Sequence, residues 1–246
     1  MIPDIHALSR PPLSQGVLVI LSGGQDSATC LAWAQKFFPR VEALTFDYGQ
    51  RHRVELESAS RLARRAGVIQ TVIPVDSLSA LAQHAGGANA LTNSGVDVKT
   101  EGGFRNLPST FVPGRNALFL TLAASFAAPR GLQDLVIGAC ETDYSGYPDC
   151  RDGFMDAMES ALSQGLDTPL RIHRPLMKLT KAQTFELADQ LGILDVVVRD
   201  THTCYEGVHD TLHAWGFGCG KCPACELRKR GWEQFIQNKA QAARGV

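Results

Sequence analysis

The sequence predicts an α/β protein built on a Rossmann-like, parallel five-stranded sheet that is flanked by helices. Short apolar segments alternate with amphipathic segments along most of the chain, and the first apolar run, residues 17–21, contains no polar residue. A strand that is buried on both faces has this continuous apolar pattern. Strands that alternate with helices form βαβ units, which give parallel sheets with right-handed crossovers.

The individual elements are predicted from this alternation. Strands are expected at residues 17–21, 41–46, 69–75, 134–138 and 170–173. Helices are expected at residues 26–38, 53–66, 114–128, 153–162, 180–191 and about 226–239, and Gly67 and Gly192 are expected to end two of them. Residues 77–110 interrupt the pattern and are rich in Gly, Asn and Ser, which indicates a loop or lid over a site.

Composition limits the classes of partner. The 246 residues include 24 Lys and Arg against 25 Asp and Glu, a net charge of −1, whereas tRNA-binding proteins usually carry a basic surplus. We therefore expect a small-molecule substrate and no nucleic acid. Residues 1–15 lack the apolar segment of a signal peptide, and no apolar run reaches the length of a membrane span, so a cytoplasmic protein without a membrane partner is expected. There, the seven cysteines are expected to be thiols or metal ligands.

Polar segments that contain glycine or charged residues follow four of the predicted strands. They are SGGQDS at 22–27, DYGQRH at 47–52, ACETDYSGYPDCR at 139–151 and RPLMK at 174–178. In an open α/β sheet, ligands bind beyond the carboxyl ends of the strands, at the switch in strand order. The four segments are therefore expected to converge on one site.

The segment after the first strand has the features of a phosphate-binding loop. Its two glycines allow a tight turn in which successive N–H groups point at an anion, and the following helix adds its positive N-terminal end. Ser22 and Ser27 can donate to phosphate oxygens, and the carboxylate of Asp26 fits there if Mg²⁺ bridges it to the phosphates. The loop lacks the lysine of a Walker motif, and a simple strand-to-helix turn with an Asp cap is the alternative. The nucleotide-binding candidates are Leu21, Ser22, Gly23, Gly24, Gln25, Asp26, Ser27, Arg51 and His52.

Cations are expected to compensate the phosphate charge. Arg51 and His52 follow the second strand, where a polyphosphate needs compensation. Arg115 and Lys181 each lie in the first turn of a predicted helix, where the helix dipole disfavours a cation unless an anion is close. The candidate catalytic residues are Asp26, Ser27, Arg115 and Lys181.

The segment 141–151 is the candidate substrate site. A planar heterocycle needs stacking faces, a carboxylate for an amidine-type N–H pair and a cation for a substrate acid, and this segment supplies all three. The candidates are Glu141, Asp143, Tyr144, Tyr147, Asp149 and Arg151. A surface loop with incidental aromatic residues is the alternative. Cys150, in the same segment, is interpreted as a small wall residue rather than a nucleophile.

Four cysteines close to the C-terminus predict a metal site. Cys204, Cys219, Cys222 and Cys225 have the spacing C-x14-C-x2-C-x2-C, and four thiolates suit tetrahedral, structural Zn²⁺. A reactive dithiol is the alternative, and His202, His209 and His213 are close enough in sequence to replace a thiolate. We expect residues 16–200 to form the nucleotide and substrate domain, and residues 201–240 a zinc-binding hairpin and helix packed on it.

Two resemblances make the expected function specific. SGGQDS resembles the SGGxDS motif of the ATP-pyrophosphatase (PP-loop) superfamily, whose members cleave ATP to AMP and pyrophosphate through an adenylated intermediate. LSGGQDS, TFDYGQRH, FVPGRNALFL, ETDYSGYPDCR and TCYEG…GCGKCPACELR together resemble the 7-cyano-7-deazaguanine synthase family of queuosine biosynthesis, from residue 17 to about 230. The spacer between Cys204 and Cys219 is several residues longer than is usual in that family.

The resemblance implies an adenine nucleotide alpha hydrolase-like fold and an ATP-dependent carbon–nitrogen ligase. Its substrates would be 7-carboxy-7-deazaguanine and ammonia, its product the nitrile, and its assembly a homodimer. The alternatives are a PP-loop enzyme that modifies tRNA or forms an amide, and a nucleotide sensor whose cysteine knuckle binds nucleic acid. The first would show a basic or glutaminase domain, which is not visible, and the second is disfavoured by the near-neutral charge.

Overall fold

The computed structural model describes residues 4–50, 53–76, 78, 107–142 and 146–244. Its main sheet has five strands, all parallel, in the spatial order β3-β2-β1-β4-β5. The strands are β1 (Gly16–Ile20), β2 (Arg40–Asp47), β3 (Ile69–Pro74), β4 (Asp134–Val136) and β5 (Arg171–His173). The predicted parallel five-stranded sheet is confirmed, with strand limits that differ by no more than two residues. Most of the predicted loop or lid at 77–110 lies outside the described residues.

Seven α-helices connect and cover these strands within the described part of the chain. They are α1 (Gln25–Phe37), α2 (Val54–Ala66), α3 (Arg115–Ala127), α4 (Asp152–Gly165), α5 (Lys181–Gln190), α6 (Leu194–Asp200) and α7 (Pro223–Ala243). Gly67 and Gly192 follow α2 and α5 with φ angles of +67° and +72°, as predicted for glycines that end helices. Two expectations were incomplete. Helix α6 was missed, and α7 begins at Pro223 instead of Glu226, because a proline at the first helical position lacks only an N–H that would be unpaired anyway.

The sheet has an apolar layer on each face. Val17 and Val19 of β1 point to one layer, where they pack with Trp33 of α1 and Phe185 of α5. Leu18 points to the other layer, which is completed by side chains of α3 and α4. All five residues of β1 are buried, which explains why its sequence is continuously apolar and not alternating.

The strand order reverses next to β1. The chain runs outward from β1 through β2 to β3, and then returns to the other side of β1 to form β4 and β5. The segments that leave the carboxyl ends of β1 and β4 therefore diverge, and a crevice opens between them. No helix in the described part of the chain is long and apolar enough to cross a membrane.

The C-terminal part packs on the same core. Strands β6 (Leu212–His213) and β7 (Gly216–Phe217) form an antiparallel hairpin, and α7 follows it. Phe235 of α7 belongs to the apolar cluster that contains Val17, and its ring stacks near Phe185 of α5 with a centroid distance of 6.1 Å. Helix α7 is therefore anchored against the apolar layer on one face of the sheet.

Candidate active site and metal centre

The loop between β1 and α1 turns tightly because of its glycines. Gly23 has a φ angle of +93°, and a Cβ atom there would overlap with the carbonyl oxygen of Glu55. Helix α2 can therefore approach the loop only at a glycine. The Ser22 and Ser27 hydroxyl oxygens lie 3.1 Å apart, and the Ser22 amide donates to Ser27 Oγ at 3.2 Å, which ties the start of the loop to the first turn of α1.

The end of β4 and the side chain of Gln25 also lie at this loop. A Cβ atom at Gly138, just past β4, would lie 3.1 Å from the Ser27 amide nitrogen, so the end of β4 also approaches the loop closely. Gln25 is 2% exposed, and neither its amide nitrogen nor its amide oxygen has a hydrogen-bond partner among the described residues. A buried polar group without a partner is costly, so this side chain is a candidate to contact a ligand.

Asp26 and Lys181, which were predicted separately, form an ion pair. Lys181 Nζ lies 3.0 Å from Oδ1 and 2.9 Å from Oδ2 of Asp26, and the two side chains are 10% and 27% exposed, respectively. Lys181 starts α5, whose N-terminus is fixed by a capping box between Thr180 and Gln183. The pair places one cation and one carboxylate beside the N-terminus of α1.

One cavity of about 310 Å³ collects most of the predicted nucleotide residues. The residues of the loop cluster, which line one part of it, are Leu21, Ser22, Gly24, Gln25, Asp26, Ser27 and Lys181. The residues of the aromatic cluster, which line another part, are Phe46, Tyr48, Glu55, Arg115, Asn116, Phe119, Tyr147, Cys150 and Tyr205. Cavities of this size are typical of small-molecule sites.

The aromatic cluster combines flat rings with one carboxyl group, that of Glu55, and one guanidinium group, that of Arg115. Phe46 and Phe119 stack with a centroid distance of 4.3 Å, and the ring of Tyr48 lies 5.5 Å from that of Phe119. Burial raises the pKa of Glu55 to about 7, against an opposing effect of the Arg115 guanidinium. Burial also raises the pKa of Tyr48 to about 12. At neutral pH the carboxyl group of Glu55 can therefore exist in both protonation states.

The predicted substrate segment is only partly at the cavity. Tyr147 lines it and hydrogen-bonds to the hydroxyl of Thr110, and Cys150 also lines it. Asp149 does not line the cavity and is 6% exposed. Its carboxylate accepts a hydrogen bond at 3.2 Å from the backbone N–H of Asn116, in the first turn of α3.

Other members of the predicted set lie elsewhere. Glu141 does not line the cavity. Its carboxylate accepts a hydrogen bond from Lys178 at 2.5 Å. Arg151 is exposed and immediately precedes α4. Four predicted residues lie outside the described residues: Arg51, His52, Asp143 and Tyr144.

Sequence reasoning missed several residues that line the cavity. Glu55 lies in the first turn of an amphipathic helix, where an acidic residue is ordinary, and Arg228 lies in a polar stretch of α7. Tyr205 lies in the TCYEG motif and Asn116 in the FVPGRNALFL motif, where other residues were the candidates. The available signal for Glu55 was its place three residues after the DYGQRH segment, at a predicted strand end.

The four C-terminal cysteines form the predicted cluster. The sulfur atoms of Cys204, Cys219, Cys222 and Cys225 all lie within 4.8 Å of one another. Hydrogen bonds from the Cys222 and Cys225 thiols lower the pKa of the Cys204 thiol, so one thiolate is already favoured. The cluster can hold one metal ion. Two of the alternative histidines lie close to it. A ring nitrogen of His202 is 3.0 Å from the Cys204 carbonyl oxygen, and a ring nitrogen of His213 is 3.0 Å from the Gly218 carbonyl oxygen.

Comparisons with known proteins agree with these features. A family model described as queuosine biosynthesis protein QueC matches residues 16–236. The 7-cyano-7-deazaguanine synthase of Gluconacetobacter diazotrophicus is 47% identical, with 94% of this chain and 96% of that protein covered, and the one of Burkholderia vietnamiensis is 49% identical with the same coverage. The solved NMN synthetase of Francisella tularensis aligns over 90% of this chain and 85% of its own, at 15% identity and a TM-score of 0.49, and adds nothing to the sequence matches. This chain belongs to the QueC family of queuosine biosynthesis proteins.

Proposed function

We propose that this chain is an ATP-dependent carbon–nitrogen ligase that converts 7-carboxy-7-deazaguanine and ammonia to 7-cyano-7-deazaguanine, with release of AMP and pyrophosphate. One observation carries the proposal: the loop cluster and the aromatic cluster line the same cavity of about 310 Å³. A nucleotide α-phosphate and a heterocyclic acid can therefore meet there. The relatives at 47% and 49% identity are 7-cyano-7-deazaguanine synthases, which supports this substrate.

The loop cluster is proposed to bind the phosphates of ATP. The amides of the loop and the N-terminus of α1 supply donors, and the hydroxyls of Ser22 and Ser27 supply two more. Lys181, which forms an ion pair with Asp26 in this structure, can turn to a phosphate oxygen when ATP binds. The carboxylate of Asp26 can then bind Mg²⁺. Arg51 and His52, which follow β2, remain proposed phosphate contacts.

The aromatic cluster is proposed to bind the deazaguanine ring. Rings such as Phe119 and Tyr48 offer stacking faces, and ionised Glu55 can accept the pair of N–H groups on the edge of a guanine-type heterocycle. Arg115 offers a cation for the carboxylate of the substrate or for a phosphate. Of the predicted segment, Tyr147 is the proposed direct contact, and Asp149 supports the wall.

The reaction requires two activations of oxygen. The substrate carboxylate attacks the α-phosphate of ATP, pyrophosphate leaves, and ammonia then displaces AMP to give a primary amide. The amide oxygen is again a poor leaving group, so it attacks the α-phosphate of a second ATP. Loss of AMP and a proton from that adduct forms the nitrile. One phosphate site suffices, because both steps begin with an oxygen at the same phosphorus atom.

The cysteine cluster is proposed to hold structural Zn²⁺. Zinc–sulfur bonds of about 2.3 Å in a tetrahedron separate the sulfur atoms by about 3.8 Å. The sulfur atoms of Cys219 and Cys225 are 3.9 Å apart, so these positions suit the ion with little movement. A cytoplasmic location, which the family resemblance and the thiol chemistry both favour, would keep the ligands reduced.

A homodimer is also proposed, and the edge of the sheet supports it. Strand β3 is an edge strand, and its Ile69 and Val72 are 73% and 47% exposed. Exposed apolar side chains at a sheet edge favour a protein partner. The proposed division into a nucleotide and substrate domain (16–200) and a zinc-binding segment (201–240) fits the packing of α7 on α5.

Release of pyrophosphate tests this function. The chain is incubated with ATP and Mg²⁺, with and without 7-carboxy-7-deazaguanine and ammonium, and nitrile is measured by mass spectrometry. We expect nitrile only in the complete mixture, with pyrophosphate release that depends on the acid. Pyrophosphate released only with tRNA, or with another acid, would instead favour a different PP-loop enzyme.

A further inference from the structure

The metal-binding segment contacts the phosphate loop through its backbone. The amide of His202 donates to the carbonyl oxygen of Gly23 at 2.9 Å. A Cβ atom at Gly24 would lie only 3.4 Å from the carbonyl oxygen of His202, so the two backbones are in close contact. His202 lies two residues before Cys204, the first member of the cysteine cluster. The segment that carries a metal ligand is therefore also a support of the loop.

Arg228, which follows the last cysteine of the cluster in the sequence, holds this segment in place. It lies three residues after Cys225 on α7 and is 1% exposed. Its Nη2 donates to the carbonyl oxygen of Val197 at 2.7 Å and to the hydroxyl of Thr201 at 2.9 Å, and its Nη1 donates to the hydroxyl of Thr203 at 2.8 Å. The acceptors at 201 and 203 lie on both sides of His202, so one guanidinium fixes the residue that contacts the loop.

The surroundings of Arg228 are unusual for a purely structural arginine. Its three acceptors among the described residues are uncharged oxygens, although a buried charge usually has an ionic partner. Burial lowers the pKa of Arg228 to about 10, and the negative charge of Asp26 opposes this shift. The side chain also lines the cavity. A charge kept in such a place indicates a role in the site.

Helix α7 supports the ion pair of the site as well. A Cβ atom at Gly231 would lie 2.7 Å from Cβ and Cγ of Lys181, so α7 packs directly on the lysine that bonds Asp26. Gly231 follows Arg228 by three residues, and both therefore lie on the side of α7 that faces the site. One helix supports the phosphate loop and its ion pair at two points.

We propose that Arg228 is a positioning residue that couples the cysteine cluster to the phosphate loop. It holds residues 201–203 so that the His202 amide stays on the Gly23 carbonyl, which fixes the peptide orientation that the triphosphate meets. The inference rests on the proposed ATP site. It gives the metal cluster a second task, the alignment of the loop, in addition to stabilising the hairpin.

Binding of a non-hydrolysable ATP analogue by calorimetry tests this coupling directly. Arg228→Met removes all three donors, and Arg228→Lys keeps the charge without the planar fork. We expect the Kd for the analogue to rise by about tenfold or more in both variants, as the loss of at least one net hydrogen bond implies. Metal content and the KM for the heterocyclic acid should stay at the wild-type level. Arg230→Met is the matched control, because Arg230 is exposed on the same helix.

The outcomes separate this proposal from the proposed function. Unchanged analogue binding in both Arg228 variants overturns the coupling and leaves the ATP site intact. Weaker binding that occurs only together with loss of metal overturns the role assigned to Arg228, because the cysteine cluster then acts on the loop without it. A wild-type chain that does not bind the analogue defeats the ATP site and the coupling together. If Arg228→Met does not fold, Thr203→Val decides, because it removes one acceptor and should raise the Kd in the same direction by a smaller factor.

Discussion

The ion pair of Asp26 and Lys181 allows the roles of charge in stability and in catalysis to be separated. Asp26→Asn keeps the shape of the side chain but leaves the ammonium group of Lys181, which is 10% exposed, without its carboxylate. Exposed ion pairs contribute about 0.2–1 kcal/mol, and removing one partner of a fully buried pair costs about 3–5 kcal/mol. Asp26 is 27% exposed, so we expect a loss of about 1–2 kcal/mol in the free energy of unfolding.

Both quantities can be measured on the same variants. For a chain of this size, the loss corresponds to a fall of about 2–8 °C in Tm. Turnover should fall by about a hundredfold or more, because the charge that is proposed to anchor Mg²⁺ is gone. The double variant Asp26→Asn/Lys181→Met also removes the cation that has lost the Asp26 carboxylate, so its stability should return to within about 0.5 kcal/mol of wild type, as additivity fails for residues in contact. Its turnover should remain low.

A matched control uses an exposed pair. Arg199 donates to Asp195 at 2.7 Å, and both side chains are more than half exposed, so Asp195→Asn should change stability by no more than about 0.5 kcal/mol. Near-normal turnover in Asp26→Asn would refute the magnesium role. A double variant as unstable as the single one would refute the argument that the loss of stability comes from the lysine that has lost this carboxylate.

Two further predictions concern Glu55 and the cysteine cluster. Because the pKa of Glu55 is about 7, the ionised fraction rises with pH, and kcat/KM for the heterocyclic acid should increase between about pH 6 and 8. Glu55→Gln should lower kcat/KM and flatten this rise. Glu57 is exposed on the same helix, so Glu57→Gln should leave the pH profile unchanged. An identical rise in both variants would contradict the role given to Glu55. The chain purified without chelator should contain about one zinc per chain by elemental analysis, and Cys222→Ser should lose the metal and lower Tm, because binding and local folding are linked. A wild-type chain without zinc would exclude the metal assignment.

The course of the chain could be predicted because hydrophobic periodicity reflects burial directly. The run at 17–21 is apolar throughout since both faces of β1 are covered, and Gly67 ends α2 because a glycine adopts a positive φ angle at little cost. Helix α6 escaped because its segment LDVVVRD contains three consecutive valines, which are poor helix formers. The burial of Val197 and the packing of α6 against its neighbours decide its structure, and neither is visible locally.

Residues that line the cavity could be predicted where one local motif contains them. The loop at residues 22–27 is such a motif, and Asp26 within it lines the cavity. The distance between Asp26 and Lys181 could not be predicted, because 155 residues separate them and the topology alone brings them together. Glu55 and Arg228 are ordinary surface residue types, and their position in the cavity depends on the close approaches of helices at Gly23 and Gly231. Glu141, predicted for the substrate, does not line the cavity and accepts a hydrogen bond from Lys178.

The number of AMP molecules formed per nitrile tests the central claim most directly. If one phosphate site activates first the acid and then the amide, the acid with ammonium should give two AMP and two pyrophosphate per nitrile. The synthetic primary amide, supplied with ATP and no ammonium, should be converted to the nitrile with one AMP. An amide that is not converted, or ADP as the nucleotide product, would contradict the account.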